Sequence, residues 1–263
     1  MVVATFLKEH RVLLGELVRR DIRTRYTGSL LGLFWSVLNP LLQLALYTLV
    51  FSVFLKVKLG DGASHARFAE YLFCALLPWT GLQEAWTRGT RGFLDHANLI
   101  KKTRFPLELI PLSLALSALV HQVVATAVFV PVLAWRGTLE WTFLVWLPLL
   151  LVVELLMMLG GGLLLGVLNV FVRDTAHVVG VLFMFLFWGT PIVYPKSSVP
   201  EPFLSVLELN PLTHMVDAFR YSFFGENPPE PWGIIYWAAA SLLLLVLGLR
   251  LLRQTRAEVL DLV

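Results

Sequence analysis

The sequence predicts an all-α polytopic membrane protein with six transmembrane helices and both termini in the cytoplasm. Three observations carry that prediction. Of 263 residues, 57% are hydrophobic and 15% charged, where an ordinary soluble domain carries roughly 25% charged residues. Mean hydropathy is +0.75, and the apolar residues come in long blocks rather than on one face of surface helices. Six spans divide the loops into two sets, and fifteen of the 21 lysines and arginines fall in the set that includes both termini. An excess of that sign marks the cytoplasmic side.

Residues 1–28 read as an interfacial amphipathic helix, because Phe6, Leu7, Val12, Leu13, Leu14, Leu17 and Val18 alternate with Lys8, Arg11, Arg19 and Arg20. The basic run Arg19, Arg20, Arg23, Arg25 then meets 30 residues, 26–55, without a carboxylate, ammonium or guanidinium. As a helix that stretch is roughly 45 Å long, enough for a bilayer and both headgroup zones. Span one is placed at 29–55, with Pro40 removing a backbone donor and kinking it. Span two, 68–87, carries Glu70, Pro78 and Glu84 and has the weakest apolar run. Residues 88–105 are polar and basic. Spans three and four follow at 106–135 and 141–170, the second holding Glu154 and the run Gly160-Gly161-Gly162, small residues that let helices approach closely. The turn Arg173-Asp174 precedes span five, 175–194, rich in Phe and Trp. Residues 195–231 hold seven prolines and two amphipathic blocks too short to cross, 203–209 and 212–224. Span six is 232–249. The domain division is therefore a helix at 1–28, a six-span unit at 29–252 and a tail at 253–263.

Several chemistries are excluded. The lone Cys74 permits neither an internal disulfide nor a cysteine metal site. No GxxxxGK[ST] loop, HExxH or GxSxG occurs, so catalytic and metal-binding residues are expected to be absent. A net charge of +3, with the cations in flanking loops, speaks for topology rather than nucleic-acid binding. The first ten residues lack the apolar core of a cleavable signal peptide. Uphill transport would need an ion gradient or a partner ATPase. Glu154 is the most interior ionisable residue and His121, Glu70 and Glu84 are the other candidates for ion coupling, against a packed, hydrogen-bonded Glu. Glu70 and Glu84 read as span-end residues. Phe183, Phe185, Phe187, Trp188 and Tyr194 are either lipid-facing aromatics or a stripe on which sugar rings stack. A membrane enzyme acting on lipid-linked sugars would need acidic or histidine clusters at an interface, and the sequence offers none.

The blocks RDIRTRYTGSLLGLFWSVLNPL (20–41), NLIKKTRFPLELIPL (98–112), LNVFVRDTAHVVG (168–180), FWGTPIVYP (187–195) and NPLTHMVDAFR (210–220) resemble the ABC-2 type permeases of polysaccharide export. O-antigen permeases are the nearest group, with teichoic-acid and capsule permeases as near relatives. The resemblance runs through the whole chain in order. It implies a half-transporter: a homodimer with two copies of a separate ATPase subunit, which binds ATP and Mg, exporting a polysaccharide on undecaprenyl pyrophosphate across the inner membrane. No cofactor is then expected in this chain. It further implies that 88–105 is the coupling segment, through Phe93, Leu94, Asn98, Leu99, Lys101, Lys102 and Arg104, with Arg173 and Asp174 as a second ATPase contact or an ion pair fixing their turn. Residues 195–231 become an external gate. Spans one and five line the path and form a lateral gate, where Arg23, Arg25 and Tyr26 meet the pyrophosphate, or else ordinary anionic membrane lipid, while Trp188 and Tyr194 face the glycan.

Overall fold

A computed structural model describes residues 2–26, 28–29, 31–54, 65–102 and 105–263. Among these residues the chain is helical and contains no strand. Helix α1 (Val2–Tyr26) lies against α5. A 3-10 turn, Gly32–Phe34, opens α2 (Trp35–Tyr47), which contains Pro40 and passes into a π-helical segment, Thr48–Phe54. Span one is thus not one regular α-helix. Its last residue, Leu55, and the following loop through 64 lie outside the described residues.

The largest departure from the sequence reading is α3 (His65–Asp95), 31 residues in one helix. The predicted span at 68–87 and the start of the basic segment at 88–105 are a single rod, roughly 46 Å long. Only α4 (Ala97–Lys102) after the break at His96 is separate. Helices α5 (Leu109–Arg136) and α6 (Phe143–Phe171) match spans three and four closely. Helix α7 (Thr175–Trp188) is 14 residues long, roughly 21 Å, and falls short of the ~30 Å hydrocarbon core. Span five was therefore placed too long. Gly189, Thr190 and Pro191 turn the chain before Tyr194 is reached.

Beyond a 3-10 turn at Lys196–Ser198, α8 (Glu201–Glu208) and α9 (Pro211–Phe224) account for the two short amphipathic blocks. Asn210 caps α9 by accepting from the Leu212 amide at 3.0 Å, and Pro211 takes the first helical position, where no amide is needed. Gly225, at φ 66°, ends it in the left-handed region that suits glycine. Helix α9 is no surface element: Leu212, Met215, Val216, Phe219 and Phe223 are buried in the main core with Phe129 and Trp237. Helix α10 (Pro231–Gln254) continues past the predicted end of span six, and the tail folds as α11 (Arg256–Leu262), with Val259 buried. By length and composition α5, α6 and α10 are each able to cross a membrane.

The glycine run performs the close packing read from the sequence. A Cβ on Gly89 would lie 2.6 Å from the Gly162 Cα, and one on Gly160 would strike the backbone at Leu244 and Leu245, so α6 sits backbone-to-backbone with both α3 and α10. Trp86 lies over Gly161 and donates to the Met157 carbonyl at 3.0 Å. Those contacts fix α3 rigidly against α6.

Candidate functional site

Two ends of the bundle carry polar machinery, and the first lies where α1 crosses α3 and α5. On α1, Asp21 and Arg25 are one helical turn apart; on α3, so are Glu84 and Arg88. The packing interlocks the two pairs. Arg88 clasps Asp21 with both guanidinium nitrogens, one of them at 2.8 Å from Oδ2. Arg25 pairs with Glu84 and reaches Asp21 at 3.4 Å. His121 of α5 joins at 3.1 Å from Glu84 Oε2. The group is half-buried: the side chains of Asp21, Arg25, Glu84 and Arg88 are 13%, 18%, 22% and 30% exposed. Burial by itself would raise the Asp21 carboxyl, but the Arg88 hydrogen bond and the Arg88 and Arg25 charges outweigh it and hold Asp21 below the usual range.

Beside this cluster lies a cavity of about 130 Å³ lined by Asn39, Gln43, Thr80, Glu84, His121 and Gln122. Behind it Glu154 is wholly buried and accepts from Gln122 Nε2 at 2.7 Å. The pair ties α6 to α5. Glu70, read as a span-end residue, is buried and paired with Arg136 of α5.

Predicted site residues fare differently. Arg25 belongs to the ion cluster, whereas Arg23, two residues away, is exposed on another face of α1. The Tyr26 side chain lies outside the described residues. In the coupling segment, Phe93 is on α3, 1% exposed and packed in the second core with Ile110, Leu163 and Val167. A buried ring offers nothing to a partner, so Phe93 is a packing residue. Leu94, one residue before the end of α3, is half-buried; Asn98 and Lys101 are exposed on α4, with Leu99 partly covered. The Lys102 side chain and Arg104 lie outside the described residues. Arg173 and Asp174 stand exposed in the α6–α7 turn.

At the other end, Trp188 closes α7 with 62% of its surface exposed, and the Tyr194 hydroxyl donates to its carbonyl at 2.6 Å. The two are thus brought together. The remaining aromatics do not form one stripe: Phe183 packs edge-on against Trp79 and Trp86, Phe187 against Trp79, and Phe185 faces outward. Arg220, within the second amphipathic block, is 6% exposed; it stacks 3.4 Å over Tyr71 and donates to the Pro191 and Ile192 carbonyls at 2.8 and 2.9 Å. It pins α9 to the turn after α7.

Sequence reasoning missed the cluster of Asp21, Glu84, Arg88 and His121. The two i,i+4 acid–base pairs were visible as spacings, but nothing local says that they face each other.

Residues 12–224 match the family model described as ABC-2 type transporter. The chain belongs to the ABC-2 type transporter family. It is a multi-pass membrane protein of the bacterial inner membrane and a permease. Curated relatives of this ABC-2 permease include the O-antigen export system permease protein RfbA of Myxococcus xanthus, 28% identical over 96% of this chain and 95% of that protein. The protein of the same name from Klebsiella pneumoniae is 30% identical over 93% and 92%. The polysialic acid transport protein KpsM of Escherichia coli is 26% identical over 94% and 95%. The similarity therefore extends through α1 and α10, beyond both ends of the family match.

Proposed function

We propose that this ABC-2 permease exports a lipid-linked polysaccharide, on undecaprenyl pyrophosphate, as half of a homodimer driven by two copies of a separate ATPase subunit that binds ATP and Mg. The observation that carries the reading is end-to-end similarity to permeases named for O-antigen export, with α1 and the gate helices included. The capsule-type relative covers as much of the chain at lower identity, which keeps capsular polysaccharide as the second reading of the cargo. In this reading the protein has six spans, cytoplasmic termini and no catalytic residues of its own.

Residue roles follow from position. Asn98, Leu99 and Lys101 on α4 meet the ATPase, joined by Lys102 and Arg104, and by Arg173 and Asp174 in the neighbouring turn. Helix α3 carries the motion: it runs without a break from α4 to Glu84 and Arg88, which grip Asp21 and Arg25 of α1. Closure of the ATPase thus opens this salt-bridged latch and releases α1. Arg25 acts in that latch, leaving Arg23 with Tyr26 as the pyrophosphate contact, since a guanidinium suits bidentate phosphate binding. Trp188 and Tyr194 present the aromatic surface that meets sugar rings on the way out.

Export of undecaprenyl pyrophosphate-linked O-antigen by proteoliposomes holding this chain and its ATPase tests the proposal. Transport should require both proteins and ATP. Transport by the permease alone, responding to a proton gradient and lost in Glu154→Gln, would establish an ion-coupled carrier instead.

A further inference from the structure

Beside its latch, α1 leaves a groove of about 890 Å³ against α5 and α6, within the range of roughly 300–1,000 Å³ typical of ligand clefts. Its two walls differ in chemistry. Arg11, Gly15, Arg19 and Arg23 follow one another at four-residue intervals, and residues so spaced form a continuous ridge on a helix. Leu14, Val18 and Ile22 form a second, parallel ridge at the same interval, and Leu112, Leu116 and Val120 of α5, with Leu155 of α6, complete the apolar side. Three guanidinium groups therefore border a trough of aliphatic side chains.

The trough is open beside Gly15. A Cβ there would meet nothing within 4 Å, so the space beside it is unfilled by protein. Arg19 has a partner in Glu16 at 3.9 Å, with both side chains more than 60% exposed, and such a surface pair contributes little and exchanges readily. A slot at the membrane surface with aliphatic walls is a poor site for water and a good one for hydrocarbon. The arginine ridge adds a preference for phosphate and for negative charge.

We propose that this groove holds a resident anionic phospholipid, its acyl chains between α1 and α5 and its headgroup phosphate on Arg11 and Arg19. The lipid is a structural wedge, separate from the transported carrier. It supports α1 next to the place where the Asp21–Arg88 and Arg25–Glu84 pairs hold it. No ATPase and no transport are needed for the site to fill.

Native mass spectrometry of the full chain, titrated with phosphatidylglycerol or phosphatidylethanolamine, tests this. The wild type should bind phosphatidylglycerol about tenfold more tightly. Arg11→Gln combined with Arg19→Gln should abolish the preference while leaving apolar binding. Gly15→Leu, which fills the trough and keeps every charge, should lower retention of both lipids. Equal affinity of the wild type for the two lipids would overturn the proposal, as would unchanged binding in Gly15→Leu. Displacement of phosphatidylglycerol by undecaprenyl phosphate at equimolar concentration would also overturn it, by assigning the groove to the carrier lipid.

Discussion

At the scale of single residues, Asp21 is the hinge of the charged cluster. It faces two arginines, and removing its charge leaves Arg88 half-buried without its principal partner. Asp21→Asn should cost about 1–3 kcal/mol, the usual penalty for stranding one member of a buried polar pair. Thermal unfolding in detergent, with proteolysis of α1 as a local readout, checks it. The pH dependence has a definite sign. The Asp21 carboxyl titrates below its free value of 3.8 in the folded protein, so its contribution to α1 docking is fully present above that value. The contribution fades as pH falls through the lower, folded one. Protection factors of α1 amides, which take out the intrinsic pH dependence of exchange, should fall on acidification below about pH 4 in the wild type and much less in Asp21→Asn. On the export side, Trp188→Ala should reduce transport with little loss of stability, since the ring is largely exposed. Tyr194→Phe, which removes only the hydroxyl bond to the Trp188 carbonyl, should have a smaller effect. Equal export in both variants would return these aromatics to the lipid belt.

At the scale of elements, α3 connects the predicted ATPase contact to the membrane, and its rigidity comes from glycine-mediated contact with α6. Gly89→Leu forces a side chain into the Gly162 backbone and should cost about 1–3 kcal/mol, the range for overpacked cores. Gly162→Ala, whose new methyl would meet its nearest atoms at 3.4 and 3.6 Å, should be tolerated. Comparing the two melting temperatures separates specific close approach from a general dislike of larger side chains. Element boundaries also show where sequence reasoning has purchase. The spans matching α5 and α6 were legible because their apolar runs are long and their ends are marked by charge. Helix α3 was cut short because polar residues end an apolar run without ending a helix: backbone hydrogen bonds continue through Arg88 and Arg91 as readily as through leucine. Helix α7 was overextended for the converse reason, since the apolar composition continues past Gly189 while the helix does not.

At the scale of the whole molecule, the latch and α4 make a mechanical proposal. If α1 must move for lipid-linked cargo to enter, fixing it to α3 should stop transport without stopping the ATPase. Cysteines at positions 21 and 88, joined by a short bis-maleimide, should leave ATP hydrolysis by the assembled transporter largely intact and reduce export at least tenfold. The chain's own Cys74 is buried, so the background of the labelling is low. Hydrolysis and export falling together would point to a misfolded permease and count against the latch.

By itself the sequence determined the membrane class, the order of the elements, the family and the amphipathic character of α1. Those depend on composition, on runs of neighbouring residues and on motifs, all of which are local. The tertiary structure decided which charges meet across helices. Arg23 and Arg25 are chemically identical and two residues apart, yet one is held by Glu84 and Asp21 and the other lies along a lipid-sized groove. That division follows from 100° of rotation per residue on a helix whose neighbours α3 and α5 arrive from distant parts of the chain. No spacing within residues 19–55 specifies where those neighbours stand.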